Sequence, residues 1–156
     1  MDDKIVCKVM WYSYKGLEDR CELLDKDIRN TAIRSAFKNT MEVVGEIERL
    51  TAEKIAYINV KVIIDEALRS LNRRYEIVQH DIKGKTLEQI TTELNAKKNT
   101  IDSRLTRQRV KLYEAILERY SGEELLNIIC DSPWLMNKYR KELKQTAQNE
   151  PKTGDR

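Results

Sequence analysis

The stretch GKTLEQITTELNAKKNTIDSRLTRQR, residues 84–109, holds two short apolar patterns of helical spacing broken by a tight link. Leu87, Ile90 and Leu94 mark one side of the first. Thr86 and Gln89 form a T-x-x-Q capping box that opens it by satisfying exposed backbone N–H groups. Asn95 stands where it must stop, because Asn tolerates the left-handed backbone that ends a helix. The second helix is expected over Lys98–Tyr120, with Ile101, Leu105, Leu112 and Ile116 inward. The link is about three residues, Asn95 to Lys97, the length of the turn in a helix-turn-helix. The core of that motif is Ile90, Leu94, Ala96, Ile101 and Leu105, which lets the two helices pack at a steep angle.

Charge separates the two helices. From Lys97 to Lys111 there are six basic residues against one acid, Asp102, a local charge of +5 in a chain whose net charge is +3. A solvated helix normally mixes both signs. Neutralisation of DNA phosphates explains the bias. Lys97, Lys98, Asn99, Ser103 and Thr106 are expected to face bases or nearby phosphates, with Arg104, Arg107 and Arg109 clamping the backbone and Thr100 and Lys111 as further candidate DNA contacts. Arg73, Arg74, Lys83 and Lys85 form a candidate second contact strip ahead of the motif.

Working outward, the chain reads as helical throughout. Charged residues make up 35% of its 156 residues, with 5 Gly and 2 Pro, a mixture that favours amphipathic helices over a sheet. Met10, Tyr14, Leu17, Cys21, Leu24 and Ile28 step by four and three, predicting a helix over about residues 5–29 that includes Gly16. Residues 29–40 read as a connection. Val43, Leu50, Tyr57, Ile64 and Leu71 recur at every seventh place. Their companion positions are Ile47 and Leu68 at the ends but Lys54 and Lys61 in the middle, so the seam is weakest near Asn59, where a bend or a new helix is possible. A further helix is expected over Asp65–His80, with Leu68, Leu71, Tyr75 and Val78 inward and His80 as its C-terminal cap. The two long seams suit an antiparallel hairpin within one chain or a homodimer between two.

Ser121 and Glu124 make a second capping box, opening a short helix to Cys130. Ser132 followed by Pro133 opens a last helix holding Leu135, Tyr139 and Leu143, with Trp134 and Tyr139 as docking anchors. Trp11, Tyr12 and Tyr14 are expected to pack between helices rather than stack on nucleotides. The expected organisation is all-α: an N-terminal helical hairpin (1–62), a helix-turn-helix domain (63–120), a C-terminal helical cap (121–146) and a disordered tail (147–156).

Other functions find little footing. Cys7, Cys21 and Cys130 form no CxxC pair, so neither a disulfide framework nor a zinc site is expected, and reduced thiols in a cytosol are the plain reading. No leader pattern opens the sequence, and no run approaches the ~20 apolar residues of a membrane span. There is no Walker loop, GxGxxG, HExxH or GxSxG, and no carboxylate pair within an apolar stretch, so we expect no enzyme and no cofactor.

Residues 71–116, LNRRYEIVQHDIKGKTLEQITTELNAKKNTIDSRLTRQRVKLYEAI, resemble region 4 of sigma-70 type initiation factors. Leu71, Gly84, Thr86, Ile90, Thr100, Ile101, Arg104, Leu105, Arg107, Arg109, Lys111 and Leu112 fall in register with the family pattern, and the match spans about residues 63–117. The stretch MEVVGEIERLTAEKIAYINVKVIIDEALRSL resembles the linker helix of small phage transcription regulators of the RinA/ArpU type. The resemblance implies double-stranded DNA as partner, contact with RNA polymerase, and a phage or mobile-element regulator in a bacterial cytoplasm, associated with the nucleoid when bound. The sequence departs from the pattern at Asn95 (for Gly), Ala96 (for Ile or Val), Thr91 (for Ala), Lys97 (for a capping Ser or Thr) and Asp102, which faces the expected groove. A sigma region 2, with its aromatic-rich melting helix, is not evident. A phage terminase small subunit or DNA-packaging adaptor is the alternative of another class, and a helical interaction module that ignores DNA is a third.

Overall fold

The structure, a computed structural model, describes residues 3–34, 39–71 and 84–149. All regular structure among them is helical. Helix α1 (Asp3–Ser13) and α2 (Leu17–Ile33) are joined by a single 3-10 turn at Tyr14–Gly16. Helix α3 spans Thr40–Ser70, α4 Leu87–Leu94, α5 Lys98–Arg119, α6 Gly122–Ile129 and α7 Pro133–Asn149.

The N-terminal seam is therefore two helices rather than one. Gly16 closes the turn beside the Trp134 ring of α7, and an added Cβ there would lie 3.5 Å from it, in ordinary contact. Helix α2 runs on to Ile33, past the expected end near Arg29. Thr31 is buried there, and its hydroxyl donates to the Asp27 carbonyl one turn back, so the helix continues without exposing a polar orphan.

Helix α3 doubles back along α2, the most extensive helix pair in the molecule. Lys54 pairs with Asp25 at 2.5 Å, and Lys61 with Glu18 at 3.0 Å. One partner number rises as the other falls, so the two helices are antiparallel and form the expected hairpin. These pairs also explain why α3 passes Asn59 unbroken. The two lysines in the seam reach acids of α2 at its edge instead of entering the core.

Helix α3 ends at Ser70, and the part of the expected Asp65–His80 helix beyond Leu71 lies outside the described residues. Leu71 is extended, its N–H donates to the Leu68 carbonyl, and the Ser70 hydroxyl donates to that of Ala67. Local donors thus satisfy carbonyls that another turn would otherwise have taken. Tyr75, Val78 and His80 lie outside the described residues, as do Arg73, Arg74 and Lys83.

The local start signals operate as read. Both capping boxes, Thr86 with Gln89 and Ser121 with Glu124, make their reciprocal hydrogen bonds. Ser132 Oγ accepts the Leu135 N–H at 3.2 Å and opens α7. Helix α7 reaches Asn149, beyond the expected tail boundary at Ala147, since no helix-breaking residue precedes Pro151 in the sequence.

One apolar cluster draws on each of the seven helices among the described residues, and α3 runs through positions 62 and 63 without interruption. Helices α6 and α7 lie across α1, covering Val6, Cys7, Val9, Met10 and Trp11 together with α3 and α5. Tyr57 ties the middle of α3 to the start of α7. Its hydroxyl accepts from Ser132 Oγ at 3.0 Å and donates to Glu53 at 2.7 Å, and its ring meets Trp134 edge-on at 5.9 Å. Trp134 is half-buried, with the Arg20 guanidinium 3.8 Å and the Lys138 ammonium 4.0 Å from its ring. Burial pushes the Cys7 thiol up to about 12, and the Asp3 charge adds to the shift. Among the described residues no helix is long and apolar enough to cross a membrane.

Candidate nucleic-acid interface

Residues 84–111 are assembled from local signals outward. Gly84 adopts φ +77, a left-handed conformation that side chains resist, and the Lys15 side chain lies within 3.3 Å of where its Cβ would be. The capping box then starts α4. Thr91, in place of the Ala of the sigma pattern, returns its hydroxyl to the Leu87 carbonyl at 2.7 Å, so it adds no unsatisfied group. Asn95 takes φ 48 and ψ 47, and the Ala96 N–H reaches back to the Thr91 carbonyl at 3.3 Å. That is the left-handed helix stop expected of this position.

The inward set closes the turn from behind. Ile90, Ile101 and Leu105 are buried, while Leu94 and Ala96 are half-buried and pack against the same cluster. Helix α4 packs on α5, and α5 packs on α3 and α1. The far end of α5 is tied to α3 by Arg119 and Tyr120, which reach Glu66 at 3.8 and 3.4 Å. The basic half of α5 therefore projects from an anchored base.

Lys97, Lys98, Asn99, Thr100, Ser103, Arg104, Thr106, Arg107 and Lys111 are all exposed. Thr100, Arg104, Arg107 and Lys111 are spaced 4, 3 and 4 apart, which makes one stripe along the helix. Asn99, Ser103 and Thr106 make the adjacent stripe, opposite the buried Ile101, Leu105 and Leu112. Neither Arg104, Arg107 nor Lys111 has an ion-pair partner among the described residues. Lys97 occupies the N-cap of α5 without a side-chain cap, so the first N–H groups of the helix stay open at its positive end.

Two expected contacts are placed differently. Arg109 is half-buried on the opposite flank of α5, its guanidinium 5.4 Å from the Tyr12 ring of α1. It braces α1 against α5 instead of joining the stripe. Lys85, just ahead of α4, pairs at 2.6 Å with Glu93 in the last turn of that helix. Asp102 is exposed on the Arg109 flank, four residues after Lys98, and so lies away from the arginine stripe.

Tyr12, expected to pack between helices, is instead exposed, with the Lys8 ammonium 6.0 Å and the Arg109 guanidinium 5.4 Å from its ring. The spacing of Lys4, Lys8, Tyr12 and Lys15 carried that signal, since it places them along one side of the first helical segment. Lys8 also pairs with Glu142 at 2.8 Å, which absorbs part of that charge. No group of acids, cysteines or histidines among the described residues is arranged to hold a metal ion. The three cysteines are free, with Cys7 buried, Cys21 half-buried and Cys130 exposed. Comparison with protein-family models, with curated proteins and with solved structures returns no match for this chain.

Proposed function

We propose that this protein binds double-stranded DNA in a sequence-specific manner and regulates transcription, with α5 lying in the major groove. The supporting observation is the exposed stripe Thr100–Arg104–Arg107–Lys111, left without acids on a helix whose other end is anchored to α3. In this reading the stripe follows one phosphate strand, and the open N-terminus of α5 takes a further phosphate. Asn99, Ser103 and Thr106 then meet base edges, because they lie on the face turned farthest from the core. Helix α4 supports α5 from behind, as the first helix of such a motif does. The link to transcription, and a contact with RNA polymerase, follow from the resemblance to sigma region 4.

Selection of bound sequences from a random duplex pool, followed by footprinting, tests the reading. It should yield one defined site whose affinity falls steeply with salt. A chain that shows no duplex binding in dilute buffer, or binding that ignores salt, overturns it.

A further inference from the structure

Helix α3 is apolar on more of its circumference than the fold covers. Leu50, Tyr57, Ile64 and the rest of the predicted seam are turned inward, so they are not available to a second chain. A different stripe faces out. Ile55, Ile58 and Val62 step by three and four along α3, and they are 51%, 45% and 46% exposed. Beside them a groove of about 410 Å³ opens between α2 and α3, its apolar floor of Leu17, Cys21, Tyr57, Ile58 and Val62 rimmed by Glu18, Glu22, Lys61 and Asp65. A helix apolar on opposite faces is normally covered on both.

Charge selects the occupant. Exposed Glu48 and exposed Arg69 flank this stripe, seven residues before Ile55 and seven after Val62, while Met41 and Val44 are exposed beyond Glu48. The point midway between 48 and 69 is also midway between 55 and 62. A two-fold axis at that point sets Ile55 against the partner's Val62 and Glu48 against the partner's Arg69. Parallel pairing sets like charge on like charge, which disfavours it. We infer that a second copy of this chain docks here, α3 against α3 in antiparallel fashion, to form a two-fold dimer. Such a contact is self-complementary, as the closed symmetry of a dimer requires. The inference stands apart from the DNA reading, since none of its residues lies on α5.

Sedimentation equilibrium of the full chain across the micromolar range, without DNA, tests it. The mass should rise with concentration to twice that of one chain and stop there. Ile55→Lys with Val62→Lys should leave a monomer of unchanged helical content, since both side chains are exposed. Glu48→Arg and Arg69→Glu should each weaken association roughly tenfold, and the two together should return it to within about threefold of the parent. Any of four results overturns the proposal: a monomer throughout, assembly beyond two chains, an unchanged mass in the lysine variant, or no recovery in the double charge reversal.

Discussion

The α2–α3 hairpin and the first half of α5 are both rich in charge, and they handle it in opposite ways. In the hairpin, Lys54 and Lys61 each meet an acid of the neighbouring helix. On α5, Arg104, Arg107 and Lys111 face solvent with no acid partner among the described residues. Both segments need cations for solubility, and i, i+4 acids would have supplied that on α5 as well. A cation stripe left open on a rigid helix instead costs self-repulsion until an anion arrives. The difference separates charge that closes the fold from charge left open to solvent, which the proposed function assigns to DNA phosphates.

That contrast can be broken from either side. The largest effect is expected in the part that serves the fold. Tyr57→Ala removes a buried ring and leaves Ser132 and Glu53 without their shared partner, and it should cost about 3–5 kcal/mol in a urea titration with no specific change in DNA contacts. Next comes the open stripe. Arg104→Ala with Arg107→Ala should weaken duplex binding roughly 10- to 100-fold on any sequence, and lower the salt slope by about 1.8, while changing stability by less than about 0.5 kcal/mol. Substituting Asn99 or Ser103 should instead alter which site is preferred. Equal losses on all sequences from both sets would remove the division between clamp and readout.

A third effect runs through the core beneath α6 and α7. Cys7 holds its proton to about pH 12 in the folded chain against a reference of 9.0. Between those values the unfolded chain binds fewer protons than the native one, so stability falls as pH rises. The loss should reach about 1 kcal/mol by pH 10, and Cys7→Ala should flatten it. Tyr14 and Tyr57, both raised chiefly by burial, add to the decline at still higher pH. The smallest effect belongs to the hairpin's own charges. Lys54→Met should lower the unfolding free energy from a urea titration by less than about 1 kcal/mol, because its pair with Asp25 is partly solvated.

What was legible in the sequence was local. Thr86 with Gln89, Asn95, Ser121 with Glu124, and Ser132 before Pro133 each act over three or four residues, and each does in the structure what its neighbours require. Spacing likewise identified Ile90, Ile101, Leu105, Leu112 and Ile116 as buried. Contacts across long stretches of chain were not legible. Nothing near Arg109 reveals that Tyr12 holds it, and nothing near Lys54 or Lys61 reveals Asp25 or Glu18. Helix ends were hard for the same reason. Ile33 extends α2 because Thr31 is buried, and Ser70 stops α3 through hydroxyl and backbone bonds that compete with one more turn. The second apolar stripe of α3 was hidden by the first, since a helix with two such stripes has little net amphipathicity.

The knot at Tyr57 has a bearing on how the molecule is assembled. Ser132 lies 75 positions from Tyr57, and α1 is sheltered by α6 and α7. A nascent chain holding only the hairpin and α5 would leave Trp11 and its neighbours wet. Closure must await the final two segments, so this part of the native packing comes late and depends on distant partners. Cutting the chain before Ser132 would therefore loosen the opposite terminus first.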